Sequence, residues 1–199
     1  MSHVPLDPSR SHVWQAGGVG LVTGLLSALS LNPLGEFSGT LPWWPGEMLG
    51  FMSIFALSAG LIYGVLGGGF ARLRLRFSKV AVAVFALTSV GGIAAAVYAA
   101  ILAMGPEAAQ DNFIVPYLAG GVVGGLIMAV PMVLIARLAR PLWVAGRATL
   151  LTTGWSVGVA TAMAVLGVDD ALSVPWLLVL FCGWQALFLM QIAAADRRA

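Results

Sequence analysis

Residues 48–104 read MLGFMSIFALSAGLIYGVLGGGFARLRLRFSKVAVAVFALTSVGGIAAAVYAAILAM. Two apolar runs, 48–70 and 80–104, flank Arg72-Leu73-Arg74-Leu75-Arg76-Phe77-Ser78-Lys79, which holds four positive charges. A helix of about 20 residues crosses a hydrocarbon core of about 30 Å, so each run is long enough to span one. Neither run alternates strictly. A segment in lipid must also satisfy its own backbone hydrogen bonds, which selects helices over isolated strands.

Working outward, four more runs fit the same description: Trp14–Leu31, Pro116–Ala136, Ala148–Gly167 and Val174–Ala194. With Met48–Phe70 and Val80–Met104 they predict an all-α integral membrane protein, a six-transmembrane-helix bundle forming one polytopic domain over residues 1–199. The charges set its expected orientation. Arg10 precedes the first run, Arg72, Arg74, Arg76 and Lys79 separate the second from the third, and Arg137, Arg140 and Arg147 separate the fourth from the fifth. Arg197 and Arg198 follow the sixth. The other loops carry Glu36, Glu47, Glu107, Asp111, Asp169 and Asp170 and no basic residue. Cytoplasmic loops are the ones enriched in Lys and Arg, so both termini are expected in the cytoplasm. Trp43, Trp44, Tyr117 and Trp176 would then mark the outer interface, and Trp14 and Trp143 the inner one.

Composition agrees. Hydrophobic residues are 60% of the chain and charged ones 9%, where a soluble domain has about a quarter charged. The net charge of +2 is explained by topology and anionic headgroups, so no nucleic-acid partner is expected. Arginine far exceeds lysine, and alanine and glycine are abundant. That composition suggests a GC-rich bacterial genome and therefore the bacterial cytoplasmic (inner) membrane. Ser27-Ala28-Leu29-Ser30 looks like a signal-peptide cleavage site, but the preceding region is long and weakly basic, so the first run reads as a retained span. Gly67-Gly68-Gly69 lacks the strand and the Gly-Lys-Ser/Thr of a phosphate loop, and is expected to end the second span.

Chemistry has little foothold. The six runs contain no Asp, Glu, Lys, Arg or His, which argues against proton relays and carboxylate-coupled transport. His3 and His12 lie in the N-terminal tail, too poorly placed for a metal site, and Cys182 is the sole cysteine. No GxSxG element activates a serine. The expectation is therefore no enzyme, no catalytic residue, no metal and no cofactor.

Two features suggest binding. Gly20, Gly24 and Ala28 recur every four residues in the first run, making a flat strip that serves either packing or a helix-docking face. Gly60 with Gly64, Gly120 with Gly124, and Gly121 with Gly125 repeat the spacing. Second, Gln185 and Trp184 in the sixth run, with Thr152 and Trp155 in the fifth, are polar groups that need partners in hydrocarbon. They serve either as interhelical glue or as a candidate ligand pocket, with Gln185 orienting a neutral or amphipathic molecule. Six spans, internal termini, a Trp-rich outer loop (Trp43, Trp44) and the Gly20–Gly24–Ala28 strip look broadly like the substrate-capture subunits of energy-coupling-factor vitamin importers. That resemblance implies a capture subunit for a small molecule, working beside other subunits. The residues themselves favour a non-enzymatic protein that acts by binding, an accessory or assembly subunit of a larger membrane complex. Its expected partners are membrane lipids, other membrane subunits and, in the alternative reading, a neutral small molecule.

Overall fold

The computed structural model describes residues 8–30, 47–104, 114–136, 138, 140–168 and 174–196. These form six helices: α1 (Pro8–Leu29), α2 (Glu47–Arg74), α3 (Lys79–Met104), α4 (Ile114–Ala136), α5 (Pro141–Val165) and α6 (Val174–Asp196). At 1.5 Å per residue the shortest, of 22 residues, is about 33 Å long. Five of them, α2 to α6, are long and apolar enough to cross a membrane. Helix α1, whose first turns hold Ser9, Arg10, Ser11, His12 and Gln15, is not among the five.

Each helix packs on the next in sequence, and α6 returns to α1, so the six close into a ring. Neighbours run antiparallel. Gly64 of α2 faces Ala86 of α3 while Gly68 faces Val82, and Gly121 of α4 faces Thr153 of α5 while Gly125 faces Thr149. The alternation gathers Arg10, Arg72, Arg74, Arg76, Lys79, Arg140 and Arg147 at one end of the bundle, and Glu47 starts α2 at the other. Arg137, Arg197, Arg198, the Trp43-Trp44 loop and Asp169-Asp170 lie outside the described residues.

The core is aromatic. Tyr63 of α2, Phe85 of α3 and Trp184 and Phe188 of α6 are buried together. Trp184 stacks on Phe188 at 6.0 Å, and Tyr63 meets Phe85 at 5.3 Å. Pairs of this kind contribute about 0.5–1.5 kcal/mol beyond the area they bury.

Helix ends depart from the apolar runs in instructive ways. Gly67-Gly68-Gly69 does not end the second helix, which continues to Arg74. Two of these glycines instead admit α3, since a methyl at Gly67 would lie 2.9 Å from Phe85 Cε1 and one at Gly68 3.2 Å from Val82 Cγ1. Beyond Arg74 the chain turns tightly. Arg72 Nη1 donates to the Phe77 carbonyl at 2.7 Å, and Leu75 and Phe77 fold inward and are buried, while Leu73 stays exposed. Helix α5 starts two turns before its apolar run, at Pro141, where a proline loses nothing by lacking an N–H. It ends in a Schellman turn: Val168 N–H donates to Met163 O at 3.0 Å, and Gly167 takes φ +64°.

Candidate functional site

The α1–α6 seam is a close backbone-to-backbone approach in which candidate site residues take part. A methyl group at Gly20 would lie 2.7 Å from the Gln185 carbonyl carbon, and one at Gly24 2.6 Å from that of Phe181. Both obstacles are backbone, so the glycines are what allow the contact. Ala28 is fully buried on the same face. Of the two readings of the strip, packing or docking, the structure places Gly20 and Gly24 in packing against α6 of the same chain. The reason is geometric, because closing the ring brings the last helix onto the first. The large apolar residues left outward on α1 are Trp14, Leu21, Val22, Leu25, Leu26 and Leu29.

Gln185 lies in this seam, fully buried. Its Nε2 donates to Ser27 Oγ at 3.1 Å, and Ser27 Oγ donates at 3.5 Å to the Ala59 carbonyl, a chain that links α6, α1 and α2. Tyr63 Oη donates to the Gln185 backbone carbonyl at 3.3 Å. Gln185 Oε1 is buried and has no hydrogen-bond partner among the described residues.

The other three candidates serve different neighbours. Trp184 belongs to the aromatic core beside Gly124 of α4. Trp155 lies over Gly183, and its Nε1 donates to the carbonyls of Val179 at 3.0 Å and Leu180 at 3.2 Å, fastening α5 to α6. Thr152 is buried against Gly125, and its Oγ1 donates to the Ala148 carbonyl at 2.9 Å within its own helix. Thus Trp184 and Gln185 are adjacent in the core, Trp155 sits across α6 from them, and Thr152 faces α4. Gln185 and Trp155 bond across helices, as glue would, whereas Thr152 bonds only within its own helix.

The remaining glycine pairs divide between two helices. Gly120 and Gly124 let α4 approach Ala96 of α3, while Gly121 and Gly125 let it approach the hydroxyl-bearing face of α5. On that face Ser156 Oγ is bonded to the Thr152 carbonyl at 3.0 Å. Thr149 Oγ1 and Thr153 Oγ1 are buried with no partner among the described residues.

Two cavities open at the basic end, and none of the four candidates lines them. One, of about 660 Å³, lies by the α2–α3 turn and Asp196. The other, of about 270 Å³, lies between α5 and α6 and is lined by Arg140, Trp143, Arg147 and Gln191. From sequence alone these two arginines read as orienting charges and Trp143 as part of an interface belt. The signal for more was the Trp143–Arg147 spacing, because residues four apart on a helix are neighbours. Among the described residues, no three His, Cys, Asp or Glu side chains are placed to hold a metal ion.

Fold and site together define, among the described residues, an all-α ring of six helices, five of membrane-crossing length and composition. Compared with known proteins, the chain matches no family model, no curated protein and no solved structure.

Proposed function

We propose that the chain is a polytopic protein of the bacterial inner membrane, with six spanning helices and both termini in the cytoplasm. In this reading it acts by binding, as an accessory or assembly subunit of a larger membrane complex, and not by catalysis. The observation that carries the proposal is the character of the interior. The buried polar side chains among the described residues are hydroxyls and one amide, none of them charged. Most of these groups tie one helix to another or to its own backbone, which makes a scaffold and leaves little with which to move a proton. The outward faces are apolar along the helices, as a lipid- or subunit-facing surface requires.

The test is native mass spectrometry of the protein released gently from its own membrane. Partner polypeptides in fixed stoichiometry are expected. A lone chain carrying a bound small-molecule mass would overturn the subunit reading. That second outcome belongs to the alternative, capture of a neutral or amphipathic molecule in the manner of energy-coupling-factor subunits. One specific observation favours it: the buried Gln185 Oε1, an acceptor with no protein donor among the described residues.

A further inference from the structure

We propose that the cavity between the start of α5 and the end of α6 holds the phosphate of an anionic phospholipid headgroup. Its lining places Arg140, just before α5, and Arg147, on α5, opposite Gln191 on α6, and includes no carboxylate among the described residues. Two guanidiniums and an amide make a donor-rich, positive site, and arginine forks match phosphate oxygens in pairs. Helix α5 begins here, so its free N–H groups and dipole add to the attraction. The Arg147 guanidinium lies 5.2 Å above the centre of the Trp143 ring, which limits where its donors can point.

Arg140 supplies a second line of argument. It has φ 50° and ψ 58°, a left-handed conformation that is unfavourable for an L-residue and that glycine adopts freely. Its side chain makes no capping hydrogen bond to α5. An arginine held where glycine would be more comfortable is explained by what its head group does at the cavity wall.

Size and surroundings select the source of the phosphate. A volume of about 270 Å³ falls just below the roughly 300 Å³ at which pockets for drug-sized ligands begin, so it suits a headgroup and not a whole amphiphile. Beside the cavity Leu142 and Leu150 are about three-quarters exposed, an apolar surface on which acyl chains can lie. A soluble anion has no use for that surface. The inference rests on the helices being membrane spans, and flotation of the wild-type chain with phosphatidylcholine vesicles checks that point separately.

The experiment is a titration of the purified full chain in neutral detergent with phosphatidylglycerol, with phosphatidylcholine of the same acyl chains, and with inorganic phosphate. It is read as the shift in unfolding midpoint and as bound mass by native mass spectrometry. Phosphatidylglycerol is expected to stabilise and to remain bound, and phosphatidylcholine is not. Arg147→Gln and Arg140→Gly should each weaken binding about tenfold or more, the size of one lost charged hydrogen bond. Arg140→Gly should also fold at least as well as wild type, which separates lost binding from lost structure. Arg74→Gln, a basic residue away from this cavity, should bind as wild type does. Equal binding by all three variants would overturn the site. Inorganic phosphate acting as strongly as the lipid, with the same arginine dependence, would overturn the lipid as its source.

Discussion

Gly18 and Gly20 lie two residues apart in α1 and face opposite surroundings, which makes them a matched pair for testing the ring. A Cβ at Gly18 meets nothing within 4 Å, whereas one at Gly20 lies 2.7 Å from the Gln185 carbonyl carbon with Ala186 backbone beside it. Carbon atoms in contact prefer about 3.5–4.0 Å, and the nearest obstacle, Ala186 Cα, is closer still than the Gln185 carbon, so Gly20→Ala must move α1 and α6 apart by more than about 1 Å. Overpacking of this kind costs about 1–3 kcal/mol. The separation also stretches the Gln185–Ser27 hydrogen bond, now 3.1 Å, for a further loss of about 1 kcal/mol. The expected destabilisation is therefore about 2–4 kcal/mol for Gly20→Ala. Gly18→Ala should be neutral or stabilise by up to about 1 kcal/mol through helix propensity. The assay is reversible unfolding in mixed detergent micelles, with both variants and wild type under one protocol. Equal midpoints for the two variants would falsify the α1–α6 seam. Loss of a co-purifying partner from a Gly20→Ala protein of unchanged stability would restore the strip as a docking face.

Three further outcomes follow from the same geometry. Ser27→Ala strands the Gln185 amide and should cost about 1–2 kcal/mol, while Gln185→Met removes that donor together with its unpartnered Oε1 and should cost less, both by the same unfolding assay. Trp155→Phe keeps a ring over Gly183 but loses the bonds to the Val179 and Leu180 carbonyls; about 0.5–1.5 kcal/mol should be lost, and full wild-type stability would show the indole N–H to be idle. Gly167→Ala has open space for its methyl, so any cost comes from φ +64° alone, about 1–2 kcal/mol, and a neutral result would refute the Schellman turn at the end of α5.

Helix number and approximate position were legible because apolar runs of this length have few other uses. Their ends were less so. The run from Ala148 to Gly167 underestimates α5 because Arg147 and Trp143 lie on the helix itself, where long amphipathic side chains keep an apolar stem on the surface and a polar tip outside it. The glycine spacings marked close approaches correctly but not their partners. Nothing local in Gly20 and Gly24 distinguishes α6 of the same chain from a helix of another protein, since only ring closure decides it. The polar set was legible as a group needing partners, and its division among α1, α4 and the α5–α6 seam was not. Ser27 pairs with Gln185 across 158 residues, and no periodicity within either helix reports that match.

The first helix shows where averaging along a sequence misleads. By composition α1 is less apolar than the other five, yet composition sums over every face. Thr23 and Ser27 are fully buried, Thr23 Oγ1 is bonded to the Gly20 carbonyl, and Ser30 Oγ to the Ser27 carbonyl at 2.7 Å. Gly20 and Gly24 lie inward as well. What α1 turns outward between Leu21 and Leu29 is Leu, Val, Leu, Leu and Leu. The proposal of six spans therefore rests, for α1, on that stripe and not on the mean. The same separation explains why the helix needs its neighbours. In the proposed six-span arrangement its hydroxyls and glycines would be tolerable in hydrocarbon only while α2 and α6 cover them, so insertion of α1 and closure of the ring would be coupled steps. Disrupting the seam at Gly24 should therefore expose the α1 end of the bundle to proteolysis before α3, α4 and α5 open. Simultaneous cleavage throughout would show instead that the ring opens as one unit.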